Sequence, residues 1–302
     1  GIQTNRWIAT AEVEKYAKGT GMKAKKVNKA LLRLLKFIVL AAFLLVVIFP
    51  FLWMLVTSLK GSQAEIYAFP VQYLPKEPSM INYESMLWKG NFGQYMRNSL
   101  IVSFAAGLFA CVVGICSGYI ISRFKFRFKN ALLLFYLVTQ MIPTFIMLPS
   151  LYQMLAKHHM LNSIWVMALL YTNMMIPFSV VTLRGFFDGI SSSLEEAAWI
   201  DGCSYGMALR KVIIPVMKPG IAATFIFAFI NSWNELFMAI MFIDKDKYKT
   251  IPVGLNGLIL KYDIKWGEMA AGTVMALIPT ILLFAFAQKY MIEGLTAGSV
   301  KG

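Results

Sequence analysis

Two short polar stretches interrupt a strongly apolar chain, and their residue types could support binding chemistry. The first, 195–202 (EEAAWIDG), combines carboxylates with small residues and ends on a glycine. The second, 231–235 (NSWNE), places amides and a carboxylate among apolar residues. Alanines edged by carboxylates favour a surface that another protein contacts, whereas amides beside a carboxylate suit a hydroxyl-rich solute. Neither stretch pairs a nucleophile with a base or supplies a metal-ligand set.

The remaining reactive side chains do not form a catalytic or metal-binding pattern. Cys111, Cys116 and Cys203 have no paired spacing, and neither C-x-x-C nor H-E-x-x-H occurs. The pair His158-His159 stands alone in a short loop, where a metal site is disfavoured. A phosphate-binding G-x-x-x-x-G-K-[ST] motif requires a Gly-Lys dipeptide, and the sequence contains none. We therefore predict no catalytic residue, metal ligand or cofactor-binding residue, which disfavours an integral membrane enzyme.

The composition is that of a membrane protein. Of 302 residues, 58% are hydrophobic and only 15% are charged, and the mean hydropathy is +0.63. The net charge of +14 raises the possibility of nucleic-acid binding. Many of the cations, however, lie in short connectors beside apolar runs, where they act as topology signals. We predict a lipid bilayer as the surroundings and no nucleic-acid partner.

Apolar runs long enough to cross a bilayer predict six transmembrane helices. The first follows a basic segment and is too long for a signal peptide, so we expect a retained span. Prolines at 143, 149 and 177 predict kinked helices that line a bundle. The predicted spans are 35–59, 98–121, 131–155, 162–187, 217–243 and 268–291.

The distribution of lysine and arginine predicts the orientation. Cations are concentrated in the N-terminal arm, in 122–130 (SRFKFRFKN) and in 184–218. The positive-inside rule then places both termini and 195–202 in the cytoplasm, and the loops near 60–97 and 244–267 outside. The alternating RFKFRFK segment could bind nucleic acid or anionic lipid, but we favour an interfacial connector.

The segment 195–202 has the local signals of a short helix. Ser193 and Glu196 have capping-box spacing, which predicts reciprocal side-chain bonds to each other's backbone. Gly202 is expected to end the helix after about two turns. Such a helix could lie on the membrane surface, but those helices usually carry cations and bulky apolar residues. An acidic, alanine-rich start favours protein docking.

These residues resemble a known family. Glu196-Ala197-Ala198, Asp201-Gly202 and Ile214-Pro215 resemble the EAA motif of binding-protein-dependent ABC transporter permeases. Cys203 replaces the usual alanine and Leu209 a common aromatic, and both remain apolar. The likeness extends from about residue 35 and includes Met141-Ile142-Pro143, Leu148-Pro149 and 183–187 (LRGFF). The segments 231–235 and 293–302 (EGLTAGSVKG) resemble the carbohydrate-uptake branch, specifically the maltose-type second permease subunit.

The resemblance implies a function and a set of partners. In this family the EAA helix is a coupling helix that sits in a cleft of an ATPase subunit. It implies a second homologous permease chain, two ATPase subunits that bind ATP and Mg²⁺, and an extracytoplasmic solute-binding protein that the loop near 244–267 contacts. The implied ATPase-docking residues are Glu195, Glu196, Ala197, Ala198, Asp201 and Gly202. Secondary contacts of the C-terminal tail are implied for Thr296, Gly298 and Lys301.

Polar residues inside the predicted spans are candidates for a substrate path. Asn231, Asn234, Glu235 and Met238 recur at helical spacing and predict one face of the fifth span. For the asparagines, lining a path and holding helices together remain equal alternatives. Glu235 favours a structural ion pair or a gate, because a buried carboxylate needs a partner. The candidate path residues are Asn231, Trp233, Asn234, Glu235, Tyr171 and Asn173, with Gln140 and Thr172 as weaker ones.

We therefore predict an all-α, six-span inner-membrane permease subunit of an ATP-driven sugar or oligosaccharide importer. The predicted parts are an N-terminal arm at 1–34, a permease domain at 35–291 with its coupling segment at 188–216, and a tail at 292–302. Residues 1–21 match the family poorly and are expected to be an extension or an expression remnant. The alternatives are an importer of another polar solute, such as a glycerol phosphate, or a stand-alone secondary carrier.

Overall fold

The computed structural model describes residues 32–259 and 263–299 of the chain, with side chains up to residue 289. Throughout these residues the regular secondary structure is helical, and the only β-type contacts in them are isolated bridges at Lys60–Pro78 and Ile259–Ile264. The chain divides into two compact units, Gly1–Val56 and Thr57–Gly302. The predicted all-α fold class is therefore confirmed. Most of the predicted N-terminal arm and Lys301 lie outside the described residues.

Four helices in the described residues are long and apolar enough to cross a membrane. They are α1 (Leu32–Ser58), α4 (Phe92–Arg123), α7 (Ile164–Asp188) and α14 (Trp266–Ser299). Pro177 lies inside α7 without breaking it. The helix α14 continues beyond the last predicted span, so Thr296 and Gly298 belong to a helix rather than to an irregular tail.

Two further predicted spans are helix pairs with a sharp bend. The third consists of α5 (Lys129–Met141) and α6 (Thr144–Lys157), which meet at 90° beside Pro143. The second pair, Tyr205–Val216 and α11 (Lys218–Trp233), is bent by 78°. It overlaps the predicted fifth span, 217–243, over α11, whereas the end of that prediction forms a separate short helix, Phe237–Phe242. Counting each bent pair as one span gives up to six. The kink at Pro143 follows from its missing N–H and from its restriction of the preceding residue.

Shorter helices complete the second unit. Four-residue helices precede α4, and a π-helical turn, Ser85–Lys89, leads into it. A second π-helical turn, Leu209–Ile213, follows the helix α9 (Tyr205–Ala208). The remaining helices are α2 (Gln63–Ile66), α3 (Ile81–Glu84), α8 (Ser193–Ile200), α9 (Tyr205–Ala208), α10 (Ile214–Val216), α12 (Phe237–Phe242) and α13 (Ile251–Asn256).

The centre of the second unit is the close packing of α4 against α7. Gly114 and Gly118 lie one turn apart on α4 and face α7. A Cβ atom added at Gly114 would lie 2.9 Å from Leu183 Cδ1 and 3.0 Å from the backbone of Ser179, and one added at Gly118 would lie 3.0 Å from the backbone nitrogen of Arg184. Small residues four apart allow two helix backbones to approach closely within a membrane. The glycines therefore set the distance between these helices.

Candidate functional site

The helix α8 carries the EAA residues and begins at Ser193, whereas a capping box with Ser193 as the cap would start the helix at Leu194. The predicted capping box is wrong. Ser192 is the N-cap and makes no side-chain capping bond, while the Ser193 hydroxyl lies 2.7 Å from the Ser191 hydroxyl. Because Ser193 already belongs to the first helical turn, it cannot cap that turn. Glu195 and Glu196 still place negative charge at the positive end of the helix dipole.

The end of α8 agrees with the prediction. Gly202 has a positive φ of 83°, in the left-handed region that glycine adopts without steric cost. Its N–H donates to the Trp199 carbonyl at 3.0 Å, and the Cys203 N–H donates to the Ala198 carbonyl at 2.9 Å. These two bonds form a Schellman motif. The chain therefore turns sharply after two helical turns, as the sequence predicted.

The six predicted docking residues separate into two faces of this segment. Glu195 and Ala198, three residues apart, are buried, with exposures of 1% and 6%. Glu196, Ala197, Asp201 and Gly202 are exposed. The exposed group presents two carboxylates around small residues and is open to a partner. The buried pair instead faces the chain itself, so the structure separates two adjacent glutamates that the sequence left equivalent.

Glu195 is bound by residues at the end of α4. Arg123 Nε donates to Glu195 Oε1 at 2.6 Å, and the side chain of Arg123 is 15% exposed. The Tyr119 hydroxyl donates to Glu195 Oε2 at 3.2 Å. Arg123 Nη2 also donates to the Ile190 carbonyl at 3.0 Å, in the segment that leads into α8. Sequence reasoning missed this cluster, although an arginine ending a span and a tyrosine one turn earlier were visible.

The predicted polar face of the fifth span does not form, because the helix ends at Trp233. Glu235 lies between α11 and α12 and accepts from the N–H groups of Met238 at 3.0 Å and Ala239 at 3.3 Å. The buried Tyr171 hydroxyl donates to it at 2.6 Å. Glu235 therefore binds the first turn of α12 and joins that helix to α7. Its described partners are a hydroxyl and a helix N-terminus, so the structure shows no ion pair at this position.

The other candidate path residues are dispersed. Trp233 is buried and stacks on Phe229 at a ring distance of 5.5 Å. The half-buried Asn231 donates its amide to the Phe227 carbonyl of its own helix at 2.8 Å. Asn234 and Asn173 are exposed, on different elements. Thr172 is buried and donates to the Ala168 carbonyl of α7, while Gln140 is exposed on α5.

A cavity of about 560 Å³ lies between α11, α13 and α14. Trp233 and Asn234 line it, together with Asn256, Thr273 and Thr280. Apolar side chains form most of its remaining wall, and Tyr171, Asn173 and Glu235 are not among its lining residues. The structure thus brings only two of the predicted path residues together at one cavity.

A polar network surrounds the loop that follows α12, at the opposite end of α4 from α8. Asp246 accepts from the Tyr95 hydroxyl at 2.6 Å and from the Asn91 amide at 2.7 Å, and it pairs with Lys249 at 3.1 Å. Asn98 donates to the carbonyls of Lys247 and Lys249, both at 2.9 Å. The bond from Tyr95, followed by those from Asn91 and Lys249, lowers the pKa of Asp246. The network holds this loop against the start of α4.

Metal binding has little support in the described residues, where no group of three or more His, Cys, Asp or Glu side chains is arranged to hold an ion. The cysteines Cys111, Cys116 and Cys203 are free. The exposed carboxylates of α8 and the amides at the cavity are groups that suit recognition of a partner or a polar solute.

Comparison with known proteins agrees with this combination of apolar helices and a short acidic helix. Residues 110–295 match the family described as the inner membrane component of binding-protein-dependent transport systems. The match covers more than half of the sequence, and the chain belongs to this family. It is accordingly a multi-pass membrane protein of the ABC permease class.

Relatives match over nearly their whole length. The chain is 32% identical to the diacetylchitobiose uptake system permease protein DasC of Streptomyces coelicolor, over 84% of this chain and 92% of DasC. It is 30% identical to the sulfoquinovosyl glycerol transport system permease protein SmoH of Agrobacterium fabrum, over 89% and 94%. It is 29% identical to the trehalose/maltose transport system permease protein MalG of Thermococcus litoralis, over 88% and 96%.

A solved structure shares the fold. The crystal structure of a bacterial ABC transporter involved in the import of the acidic polysaccharide alginate contains a chain that superposes with a TM-score of 0.72. The alignment covers 85% of this chain and 95% of that chain, at 20% sequence identity. The common architecture therefore persists where most residues differ.

Proposed function

We propose that the chain is a permease subunit of an ATP-driven importer for a disaccharide or oligosaccharide. The observation that carries the proposal is the division of the EAA segment into an inward face, fixed by Glu195, and an outward face of Glu196, Ala197, Asp201 and Gly202. A helix held to the membrane domain on one side and open on the other is suited to receive force from a cytoplasmic partner.

The proposed substrate class rests on the names of the relatives. These refer to diacetylchitobiose, trehalose or maltose, maltodextrin and arabinooligosaccharides. The sulfoquinovosyl glycerol of another relative joins a sugar to glycerol. The cavity lined by Asn234, Asn256 and Thr273 offers amide and hydroxyl groups beside Trp233, a combination that suits a sugar. This cavity is our candidate for the contribution of the chain to the path.

The proposed topology has six spans, with each bent helix pair crossing the membrane once. Both termini and α8 then lie in the cytoplasm, and the loop containing Asp246 lies outside. The support is that α8 and this loop contact opposite ends of α4, a helix of 32 residues. A helix of that length spans about 48 Å, more than the roughly 30 Å hydrocarbon core.

The proposed partners are a second permease chain, a pair of ATPase subunits that bind ATP and Mg²⁺, and an external solute-binding protein. The sequence has no phosphate-binding motif of its own, which supports an ATPase supplied in trans. Contact with the ATPases would be made by the outward face of α8, with the region around Thr296 and Gly298 as a second contact.

Reconstitution with the cognate partner chains in proteoliposomes tests the proposal. We expect uptake of a labelled oligosaccharide from the chitin, maltodextrin or arabinan series that requires both ATP and the binding protein. Uptake by this chain without an ATPase would instead identify a secondary carrier. Uptake of glycerol 3-phosphate, with none of the sugars transported, would overturn the proposed substrate class.

Substitution on the outward face gives a sharper test. Glu196→Lys reverses an exposed charge and Gly202→Pro removes the left-handed turn, so both should lower binding-protein-stimulated ATP hydrolysis by about tenfold or more. Both variants should insert normally, and Glu196→Lys should keep the wild-type melting temperature because exposed substitutions cost little. Wild-type uptake and stimulation in both variants would contradict docking through this face.

A further inference from the structure

We propose that the Arg123–Glu195 ion pair is the positioning link through which displacement of α8 is passed to the membrane helix α4. The inference rests on the proposed function, since it concerns how force from an ATPase would reach the spans. It assigns to Glu195 a role different from docking. The pair, with the Tyr119 hydroxyl and the Ile190 carbonyl, is called the α4–α8 link below.

The geometry of the α4–α8 link leaves little freedom of movement. The Arg123 guanidinium contacts Glu195 at 2.6 Å and the Ile190 carbonyl at 3.0 Å, so it binds both α8 and the segment that leads into it. The second carboxylate oxygen of Glu195 accepts from the Tyr119 hydroxyl at 3.2 Å. Both oxygens of the carboxylate are thus bound to α4, and a slide of α8 along that helix breaks at least one of these bonds.

The two charges also lie at the helix ends that stabilise them. Arg123 is the last residue of α4, where the helix dipole is negative, and Glu195 lies in the first turn of α8, where it is positive. The ion pair therefore joins one helix terminus to another. This arrangement favours one relative placement of the helices, because a shift by a turn would separate the two opposite charges and the two opposite helix ends from each other.

A row of aromatic rings holds the C-terminal end of α8 to the C-terminal end of α4. The Tyr119 ring packs against Phe187 at 5.4 Å and against Phe124 at 6.1 Å. Phe124 contacts Tyr205 at 6.2 Å, and Tyr205 contacts Trp199 near the end of α8 at 4.7 Å. The cytoplasmic helix is thus fixed to the end of α4 by a charged contact at its start and by apolar contacts at its end.

A buried ion pair has a different value from these apolar contacts. The cost of removing two charges from water offsets much of their attraction, so apolar residues of similar size would often stabilise a fold as well. What a buried pair adds is dependence on geometry, since a displaced partner leaves an uncompensated charge. In the α4–α8 link, this dependence on geometry keeps α4 and α8 in the same relative position while a partner displaces α8.

The packing of α4 carries this register further into the second unit. Gly114 and Gly118 bring α4 against the backbone of α7, and Gly107 receives the Phe225 ring of α11. Close-packed helices move as units rather than deforming gradually. A displacement of Arg123 is therefore shared with α7 and α11.

The test measures solute taken up per ATP hydrolysed by the reconstituted complex. Glu195→Gln keeps the shape of the side chain but removes its charge, and we expect the ratio to fall by about tenfold while ATP hydrolysis continues. Tyr119→Phe removes one hydrogen bond and keeps the packed ring, so its ratio should fall less, by about fivefold at most.

A matched control lies at the same end of α4. Asp188 of α7 accepts a hydrogen bond from the Ser122 hydroxyl and is 43% exposed, so it also joins two helices but does not touch α8. Asp188→Asn should leave the ratio unchanged. If Asp188→Asn lowers it as much as Glu195→Gln, the effect is a general loss of packing and the inference is overturned.

Other outcomes separate this inference from the proposed function. If the wild-type complex neither transports a sugar nor hydrolyses ATP on stimulation, the proposed function fails. If the wild type couples uptake to ATP hydrolysis, and Glu195→Gln and Tyr119→Phe both show the wild-type ratio of solute taken up per ATP, only the α4–α8 link is overturned. If Glu195→Gln does not assemble, Tyr119→Phe decides: a lowered ratio supports the link, and an unchanged ratio shows that the pair serves folding alone.

Discussion

Adjacent carboxylates at 195 and 196 have opposite surroundings, and this difference separates docking from attachment. The sequence placed both at the start of an acidic helix and gave no reason to prefer one. Helix geometry decides between them, because Glu195 shares a face with Ala198 while Glu196 points outward. The burial of Glu195 could not be predicted from α8 alone, since it depends on Arg123, more than 70 positions earlier in the chain.

Asp246 provides a prediction that depends on pH. Its pKa is lowered in the folded protein, chiefly by the hydrogen bond from Tyr95, so its stabilising contribution is present above the ordinary aspartate pKa of 3.8. That contribution is lost as the pH falls through the lowered value. We expect Asp246→Asn to melt at a lower temperature than the wild type at neutral pH, with the difference shrinking below about pH 4.

The control for Asp246 is Asp244→Asn, two residues away. Asp244 is exposed, and its backbone N–H, rather than its carboxylate, makes its bond to Asn162. Its melting temperature should follow the wild type across the pH series measured in one detergent. A difference between Asp246→Asn and the wild type that grows as the pH falls would contradict the direction of the pKa shift.

At the scale of elements, the long helices were predictable and the breaks were only partly so. The predicted spans 98–121 and 162–187 lie within or close to α4 and α7, because long apolar runs directly indicate such helices. Pro143 signalled the bend between α5 and α6. The break after Trp233 had no comparable local signal, because it is stabilised by Glu235 and by a tyrosine on another helix.

Tyr171→Phe tests that break. The substitution removes the hydroxyl that donates to Glu235, leaving a half-buried carboxylate with only the backbone N–H groups of α12. A lost hydrogen bond to a charged group costs about 1.5–3 kcal/mol. We expect a lower melting temperature and faster hydrogen exchange at Met238 and Ala239, with exchange in the middle of α4 unchanged. Unaltered exchange at both amides would show that Tyr171 does not hold the break.

The glycines of α4 lead to a second prediction for the helices. Gly118→Val would push side-chain atoms into the backbone of α7, with a cost of about 1–3 kcal/mol from overpacking. We expect a lower melting temperature and reduced yield of folded protein. Gly185→Val on α7 is the matched control, since a Cβ atom there meets nothing within 4 Å. Equal destabilisation by the two substitutions would point to loss of glycine in general rather than to close packing.

For the whole molecule, composition and cation placement predicted a multi-pass membrane protein, and the family match agrees with this class. The all-α class and the general position of the acidic helix followed from local patterns. The residues that line a common cavity could not be predicted in this way, because the cavity depends on how three separate helices, α11, α13 and α14, pack against one another. Helical periodicity predicts a face within one continuous helix and fails where that helix stops.

Orientation is testable on the complete chain in sealed vesicles. With the native cysteines replaced, a cysteine at exposed Lys247 should react with an impermeant maleimide from the outer side. A cysteine at exposed Met207, in α9 at the start of the bent pair that continues into α11, should react only from the cytoplasmic side. We expect labelling from opposite sides because these two positions lie near opposite ends of α4, which crosses the membrane in the proposed topology. Labelling of both positions from one side would rule out the proposed topology.

The length of α4 has a consequence for the lipid environment. At about 48 Å, the helix exceeds a typical hydrocarbon core by on the order of 9 Å at each end when it stands upright. Its polar contacts to Asp246 at one terminus and to Glu195 at the other then fall in the headgroup regions rather than among acyl chains. Thicker or thinner bilayers can be accommodated by tilt. In the proposed topology, both contacts therefore stay outside the hydrocarbon core over a range of acyl-chain lengths.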